Sequence, residues 1–378
     1  MVHYLDNAAT TPLRAAALDV FVPLTTEGYG NPSGAHRMAR EANRVLDEAR
    51  DTLAGVLGIE PGRIVFTGGG TEADNLAVRG VVDATGGVAV CSAVEHHAVL
   101  DPVEHLGGRV VGVGTDGRID LDRLAAALDP TVALVSVMVA NNETGIVQPL
   151  AEVVRLVREL APDAVVHTDA VQALCWLDVA ELTAGADLVS VSAHKFGGPK
   201  GVGALVVGDR VRLQPLFLGG GQERGRRGGT QNVAGIAAMA VAAAETVAER
   251  STAVPRVAAL RDRLADGIRA AVDGVVESGV PEADRSAKTA NICHLCFDGV
   301  ESEALLLLLE KSDIMASAAS SCASGAMDPS HVLAAMGLSR QLAFGSLRLS
   351  LGYDTTDADI DAALDAVPAA VARLRNHR

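Results

Sequence analysis

Short apolar runs alternate along most of the chain with longer stretches in which apolar residues return every three or four positions. The runs Ile64–Thr67, Val88–Ser92, Val110–Val113, Val132–Ala140, Ala164–Thr168, Leu188–Ser192 and Ala204–Val207 read as strands. Leu121–Leu128 and Leu150–Leu160 carry the helical period, and a charged helix is expected from about His36 to Leu57. Strands that are apolar on both faces, alternating with helices, predict an α/β fold: a large, doubly wound, mostly parallel sheet covered on both sides. The alanine-rich stretch Asn232–Arg250 reads as a long helix that closes this unit.

After about residue 250 the rhythm changes. A helix near Val254–Val272 leads to strands near Val275–Ser278 and Ala290–Phe297, a helix at Glu301–Lys311, and a loop around Ser317–Asp328. Helix Pro329–Met336, strand Ser346–Leu351 and a last helix follow. This predicts a large domain over 13–250 and a smaller α+β domain over 251–378, completed by an extended arm, 1–12. A cleft between two such units is a common ligand site.

Composition narrows the function. The 378 residues suffice for two domains with a large core. A net charge of −15 argues against direct contact with nucleic acid or an anionic membrane surface. No apolar run approaches the roughly 20 residues needed to span a bilayer, and the first residues read as neither a signal nor a transit peptide. Five cysteines, an odd and sparse set, make no disulfide framework, so a reducing cytoplasm is expected.

Candidate chemistry gathers at strand ends. Only four of the 32 basic residues are lysine, and Lys195 stands in Ser192-Ala-His-Lys-Phe-Gly-Gly-Pro199, where an apolar run gives way to a glycine-rich loop. Open α/β sheets bind ligands at the carboxyl ends of their strands, and lysine, unlike arginine, can become a neutral nucleophile. Thr67-Gly-Gly-Gly-Thr-Glu-Ala-Asp-Asn75 follows a strand and opens a helix, a setting that suits a single phosphate but matches neither a P-loop nor a dinucleotide fingerprint. Asp169, at another strand end, could hold a protonated ring nitrogen or cap a helix; Gln172 lies one turn on. His96 or His97, at a helix start, could stack on a flat ligand and shuttle protons. Cys322 lies in a loop of small residues, where a thiol is reactive, whereas Cys91 and Cys175 read as packing. Cys293-His-Leu-Cys296 resembles half of a metal site, but residues three apart on a strand face opposite ways, so no metal is expected.

Taken in order, these segments resemble the cysteine desulfurases, pyridoxal-phosphate enzymes of the class V aminotransferase family. The resemblance runs over nearly the whole chain. It rests on Tyr4-Leu-Asp with Ala8-Ala-Thr-Thr11, Gly30-Asn-Pro-Ser33, the Thr67 segment, Glu95-His96, Asn141-Asn-Glu-Thr-Gly145 and His167-Thr-Asp-Ala-Val-Gln172. Ser192-Ala-His-Lys195, Gly219-Gly-Gly-Gln-Glu-Arg224, Gly229-Thr-Gln-Asn232, Ser321-Cys322 and Ser346-Leu-Arg-Leu-Ser-Leu-Gly352 complete it. Many relatives have glycine where Ala193 stands, and Ser-Gly-Ser-Ala-Cys where this chain reads Ala318-Ala-Ser-Ser-Cys322.

The resemblance implies an aminotransferase-like fold type I and pyridoxal 5'-phosphate held by Lys195 as a Schiff base. Asp169 would bind the pyridine nitrogen, Gln172 the ring hydroxyl, and His96 would stack on the ring with Asn142 nearby. Gly70, Thr71, Ser192 and His194 would cup the phosphate, joined by Thr230 from the second subunit of a homodimer. Asn31 and Arg348 would receive the carboxylate of L-cysteine. The implied reaction passes through an external aldimine, leaves a persulfide on Cys322, releases L-alanine, and ends with sulfur passed to a protein acceptor. An iron–sulfur scaffold, a tRNA-thiolating enzyme, a DNA-modifying system or a biosynthetic pathway could be that acceptor. A selenocysteine lyase, a cysteine lyase or a transaminase would share the fold, and a scaffold without catalysis is the alternative of a different class.

Overall fold

The computed structural model describes residues 2–280, 284–318 and 329–376. A two-residue strand, β1 (His3–Tyr4), comes first, and the seven apolar runs then form one sheet. Its strands are β2 (Ile64–Thr67), β3 (Val88–Ser92), β4 (Arg109–Val111), β5 (Val132–Ser136), β6 (Val165–Asp169), β7 (Leu188–Ser192) and β8 (Gly203–Val207). They lie in the order β2-β8-β7-β6-β5-β3-β4. The pairs from β4 to β7 are parallel; β8 runs antiparallel to both neighbours. Strands β5 to β8 are buried along their whole length, so they show no apolar-polar alternation between faces, and their polar residues, such as His167, Thr168 and Ser190, are hydrogen-bonded inside.

Helices cover both faces. Leu76, Val81, Val99 and Val103 pack against one side, and Leu46, Leu53, Val153, Val157 and Met239 belong to the apolar cluster on the other. Helix Arg37–Leu57 shows how local signals set its ends. His36 Nδ1 accepts from the Ala39 N–H at 3.3 Å, and the helix stops at Gly58, whose φ of +65° is strained for any other residue.

The rest of the chain builds two smaller sheets from β9 (Val275–Glu277), β10 (Ile292–Phe297), β11 (Ile314–Met315) and β12 (Ser346–Ser350). The order β12-β10-β9 is antiparallel throughout, and β1 pairs in parallel with β11. The two helices expected on either side of residue 250 are a single helix, Val233–Ala271, with Pro255 inside it. Proline in a helix interior costs about 3 kcal/mol. Burial on both sides of it, Val233 to Thr246 and Val257 to Ile268, holds the helix together. Helix Ala15–Thr26 had no signal in the sequence: Pro23 lies within it and Leu18 and Val22 are exposed, so its apolar positions mark no single buried face.

The N-terminal arm joins the sheets. The Ser350 N–H of β12 donates to Leu5 O at 2.7 Å and the Ala8 N–H to Ser350 Oγ at 2.9 Å. A few residues on, the Thr11 N–H donates to His194 O at 3.0 Å and the Gly197 N–H to Thr11 Oγ1 at 2.9 Å. A second tie fixes the loop before Thr230. Glu223, buried with φ of +48°, takes both Arg50 Nη atoms (2.9 and 3.0 Å) and the Phe66 N–H at 3.0 Å. Replacing Arg50 by Ala leaves that carboxylate buried without its cation, and breaking such a pair costs about 3–5 kcal/mol. We expect Arg50→Ala to lower the free energy of unfolding in chemical denaturation by that amount, against less than about 1 kcal/mol for the exposed partner of a surface pair such as Arg155→Ala.

Candidate active site

A cavity of about 400 Å³ opens where the arm, the carboxyl ends of β6 and β7, and the start of helix Gly70–Thr85 meet. That is within the usual range for small-molecule sites, about 300–1,000 Å³. At its centre is Lys195. The residue sits in a single 3₁₀ turn, Ala193–Lys195, just past β7, with Ala193 fully buried beneath it. Lys195 Nζ donates to Ala8 O at 2.6 Å and Ala9 O at 2.9 Å. Burial, and then the nearby Arg348 guanidinium, bring its pKa down to about 8, with Asp169 and Asp6 pulling the other way.

Asp169 ends β6 on the cavity floor. Its Oδ1 accepts the Val171 N–H at 2.8 Å, and burial pushes its pKa up to about 6, against that hydrogen bond and the Lys195 charge. His96 lines the wall. Its Nδ1 accepts the Ala98 N–H at 3.1 Å as the cap of helix His97–His105, which leaves the proton of the neutral ring on Nε2. Burial and the Lys195 charge lower its pKa to about 4, so it stays neutral at physiological pH. Arg348, on β12, donates from Nη1 to Asn142 O at 2.9 Å and from Nη2 to Asp6 Oδ1 at 2.8 Å.

The cavity also brings in Gly70, Thr71, Gln172, Ser192 and His194. Gln172 Nε2 donates to Ala8 O at 2.7 Å, and His194 Nδ1 lies 3.2 Å from Thr10 Oγ1. Helix Gly70–Thr85 has no side-chain cap, so the N–H groups of its first turn are turned to the cavity end without a local acceptor. A Cβ at Gly70 would lie 2.9 Å from Val171 Cγ2 and 3.4 Å from Ser192 Cβ, so glycine lets the helix start lie close against the strand end.

Two expected residues lie elsewhere. Asn31 is exposed on the Gly30–Gly34 turn, where its Oδ1 accepts the Ser33 N–H at 3.0 Å, and Thr230 is exposed outside the cavity of its own chain. Cys322 lies outside the described residues. The other four cysteines are buried free thiols. Cys293 and Cys296 belong to different apolar clusters on opposite sides of β10, and burial pushes their pKa values up to about 12 and about 11.

The sequence matches the model of the aminotransferase class-V family over residues 3–363. The chain belongs to that family. It is 44% identical to an IscS-like cysteine desulfurase of Mycobacterium tuberculosis, over 98% of this chain and 97% of that one. Among solved structures, a NifS-like protein superposes with a TM-score of 0.91 at 34% identity, covering 99% of this chain and all of that one. SspA, solved in complex with cysteine, superposes with a TM-score of 0.78 at 31% identity over 92% of this chain and 98% of its own.

Class-V aminotransferases of this kind depend on pyridoxal phosphate, and the residues present fit it. A buried carboxylate such as Asp169 is stable as an anion only beside a cation, and a protonated ring nitrogen is one. The uncapped helix start at Gly70 and Thr71 offers backbone N–H groups to a phosphate. Lys195 Nζ, lining the same cavity, would be the amine to hold the aldehyde carbon covalently.

The sequence did not place two parts of this cavity, the arm and Asp74, nor the buried Glu95 behind it. Asp6, Ala8 and Ala9 line the cavity from the arm, and Tyr4-Leu-Asp carries no local sign of that position. Asp74, one turn into the Gly70–Thr85 helix, faces the sheet with Oδ1 unpaired and 3.6 Å from His167 Nε2; burial and then Asp169 push its pKa up. Its spacing, four residues after Gly70, was the available signal. Glu95 is fully buried, with Oε1 accepting the Met138 N–H at 2.7 Å.

Only a neutral amine attacks an aldehyde. In cofactor-free protein the rate at which added pyridoxal phosphate attaches to Lys195 should therefore climb about tenfold per pH unit and level off near pH 8. Borohydride trapping and mass measurement of the Lys195 peptide check this. A rate still climbing through pH 10 would mean that the amine keeps its ordinary basicity.

Proposed function

We propose that this protein is a pyridoxal-phosphate-dependent cysteine desulfurase that converts L-cysteine to L-alanine and passes the sulfur through Cys322 to a protein acceptor. One observation carries the reading. A single cavity joins an amine of lowered basicity, a neutral imidazole and a guanidinium, in a chain that aligns end to end with relatives named cysteine desulfurase. A solved relative that holds cysteine supports the same substrate.

When bound, the cofactor supplies an electron sink for the bonding pair at the substrate's Cα. The chain's own groups do the rest. Arg348 binds the α-carboxylate through its planar fork. Lys195 Nζ, half neutral near pH 8, takes the proton from Cα. His96 lines the cavity and holds its proton on Nε2, from which it can be given to the reacting substrate. The thiolate of Cys322 attacks the substrate sulfur: the new S–S bond forms as the substrate's Cβ–S bond breaks, and the electron pair left on Cβ takes a proton to become the methyl group of L-alanine. One L-cysteine and one thiol thus give one L-alanine and one persulfide.

The working unit is a homodimer in which the partner subunit's Thr230 completes the phosphate end. Its exposure, outside the cavity of its own chain, and its place beyond the Glu223-anchored loop support this. The acceptor is an iron–sulfur scaffold, as the IscS names of relatives suggest, or a tRNA-thiolating enzyme. The four buried free thiols suit the cytoplasm, and the charge of −15 suits protein acceptors more than direct nucleic-acid binding. No helix among the described residues is long and apolar enough to cross a membrane.

The purified protein should release alanine from L-cysteine, and Cys322→Ser should keep the yellow cofactor yet release none. Alanine from the variant at the parent's rate, or pyruvate from the parent, would make the protein a lyase or transaminase instead. His96→Gln should lower desulfuration by about 10²–10⁴-fold with cofactor content unchanged, measured by the same alanine assay.

A further inference from the structure

The guanidinium that would receive the substrate carboxylate already faces a carboxylate of the chain. Arg348 Nη2 donates to Asp6 Oδ1 at 2.8 Å, Nη1 to Asn142 O at 2.9 Å, and Nε is buried with no hydrogen-bond partner among the described residues. A receptor for a plain anion gains nothing from a second negative charge at its mouth, because the two carboxylates repel each other. Asp6 is also no surface accident. It lines the cavity, with its side chain only 23% exposed, and its backbone carbonyl accepts the Tyr4 hydroxyl at 3.1 Å.

The same arm presents two further acceptors. The carbonyls of Ala8 and Ala9 hold Lys195 Nζ at 2.6 and 2.9 Å. Asp6 is near enough to that amine for its charge to oppose the effect of Arg348. One wall of the cavity therefore accepts cations, and the guanidinium beside it accepts an anion. In an α-amino acid the ammonium nitrogen is two bonds from the carboxylate carbon, so such a substrate brings opposite charges to adjacent points.

We propose that Asp6 is a specificity-determining residue: it shares Arg348 with the incoming carboxylate, receives the α-ammonium, and so makes the pocket select a zwitterionic α-amino acid over an acid lacking the amine. This rests on the proposed reading that the substrate is an amino acid bound at Arg348. The ion pair closes the anion receptor against simple carboxylates, and the ammonium of the right substrate offsets the charge that closes it. The amino nitrogen also arrives on the Lys195 side of the cavity, where it becomes a nucleophile once its proton has passed to water.

The test compares L-cysteine with 3-mercaptopropionate, the same molecule without its α-amino group, on the pyridoxal-phosphate-loaded protein. Asp6→Asn keeps the shape and removes the charge; Asp6→Glu keeps the charge. With Asp6→Asn, kcat/KM for L-cysteine should fall at least about tenfold, while calorimetry should show 3-mercaptopropionate binding at least about tenfold more tightly than to the parent. Asp6→Glu should keep the parent's order of preference, and melting temperatures establish that each variant is folded. Equal losses for both ligands, no change for either, or an Asp6→Glu variant that behaves like Asp6→Asn would overturn the proposal. A parent that makes no alanine would overturn the desulfurase reading instead, and the calorimetric comparison would still judge Asp6.

Discussion

The structure depends on a hydrogen-bonded seam along the first dozen residues. On one side the arm extends the small sheets, through β1 with β11 and through Leu5, Asn7 and Ala8 with Ser350. On the other it is tied to the turn that carries Lys195, through Thr11 with His194 and Gly197. A backbone that runs between two sheets must satisfy its polar groups on both, and these contacts do so. The cavity is what the seam leaves open. Arg348 arrives from the antiparallel sheet, Lys195 and Asp169 arrive from the parallel one, and the arm contributes Asp6 and two carbonyls to the space between them.

That placement sets the electrostatics. The cavity floor and its support hold three buried carboxyls, Asp74, Glu95 and Asp169, all shifted upward mainly by loss of water. Beneath them runs a polar chain from Ser136 Oγ to His167 Nδ1 at 2.8 Å and from His167 Nε2 to Ser190 Oγ at 3.0 Å. His167 is kept neutral there, with its pKa lowered to about 3 by burial. The positive groups, Lys195 and Arg348, line the same cavity, and the lysine's basicity is lowered by the same desolvation and by its cationic neighbour. Desolvation thus makes the amine nucleophilic and holds His96 neutral, so each group carries its proton in the form that acid–base chemistry near pH 7 to 8 can use.

Much of this is legible in the chain itself. Strand ends announced themselves because a doubly covered sheet demands unbroken apolar runs, and a run that stops at Ser192 or Asp169 must open into solvent or a site. Lysine at 195 was conspicuous against a background of arginine. Other parts had no local signal. The break expected near residue 250 was invisible as a continuous helix because proline and charged residues there mimic a linker, while the stabilising contacts come from remote segments. Asp6 looked like one more polar residue of an extended arm, and its contact with Arg348 spans 342 positions.

By itself, the sequence determined the alternation of buried strands and helices, the turns that glycine permits, and the identity of every group able to do chemistry, since these follow from side-chain polarity and backbone freedom over a few neighbours. Only the tertiary structure decided which of those groups share a cavity and what protonation state each holds there. Arg348 could face the carboxylate of Asp6, and Lys195 could lose part of its basicity, only after distant segments had excluded water from the space between them. Proximity and desolvation are properties of the packed molecule, and no stretch of chain carries either one alone.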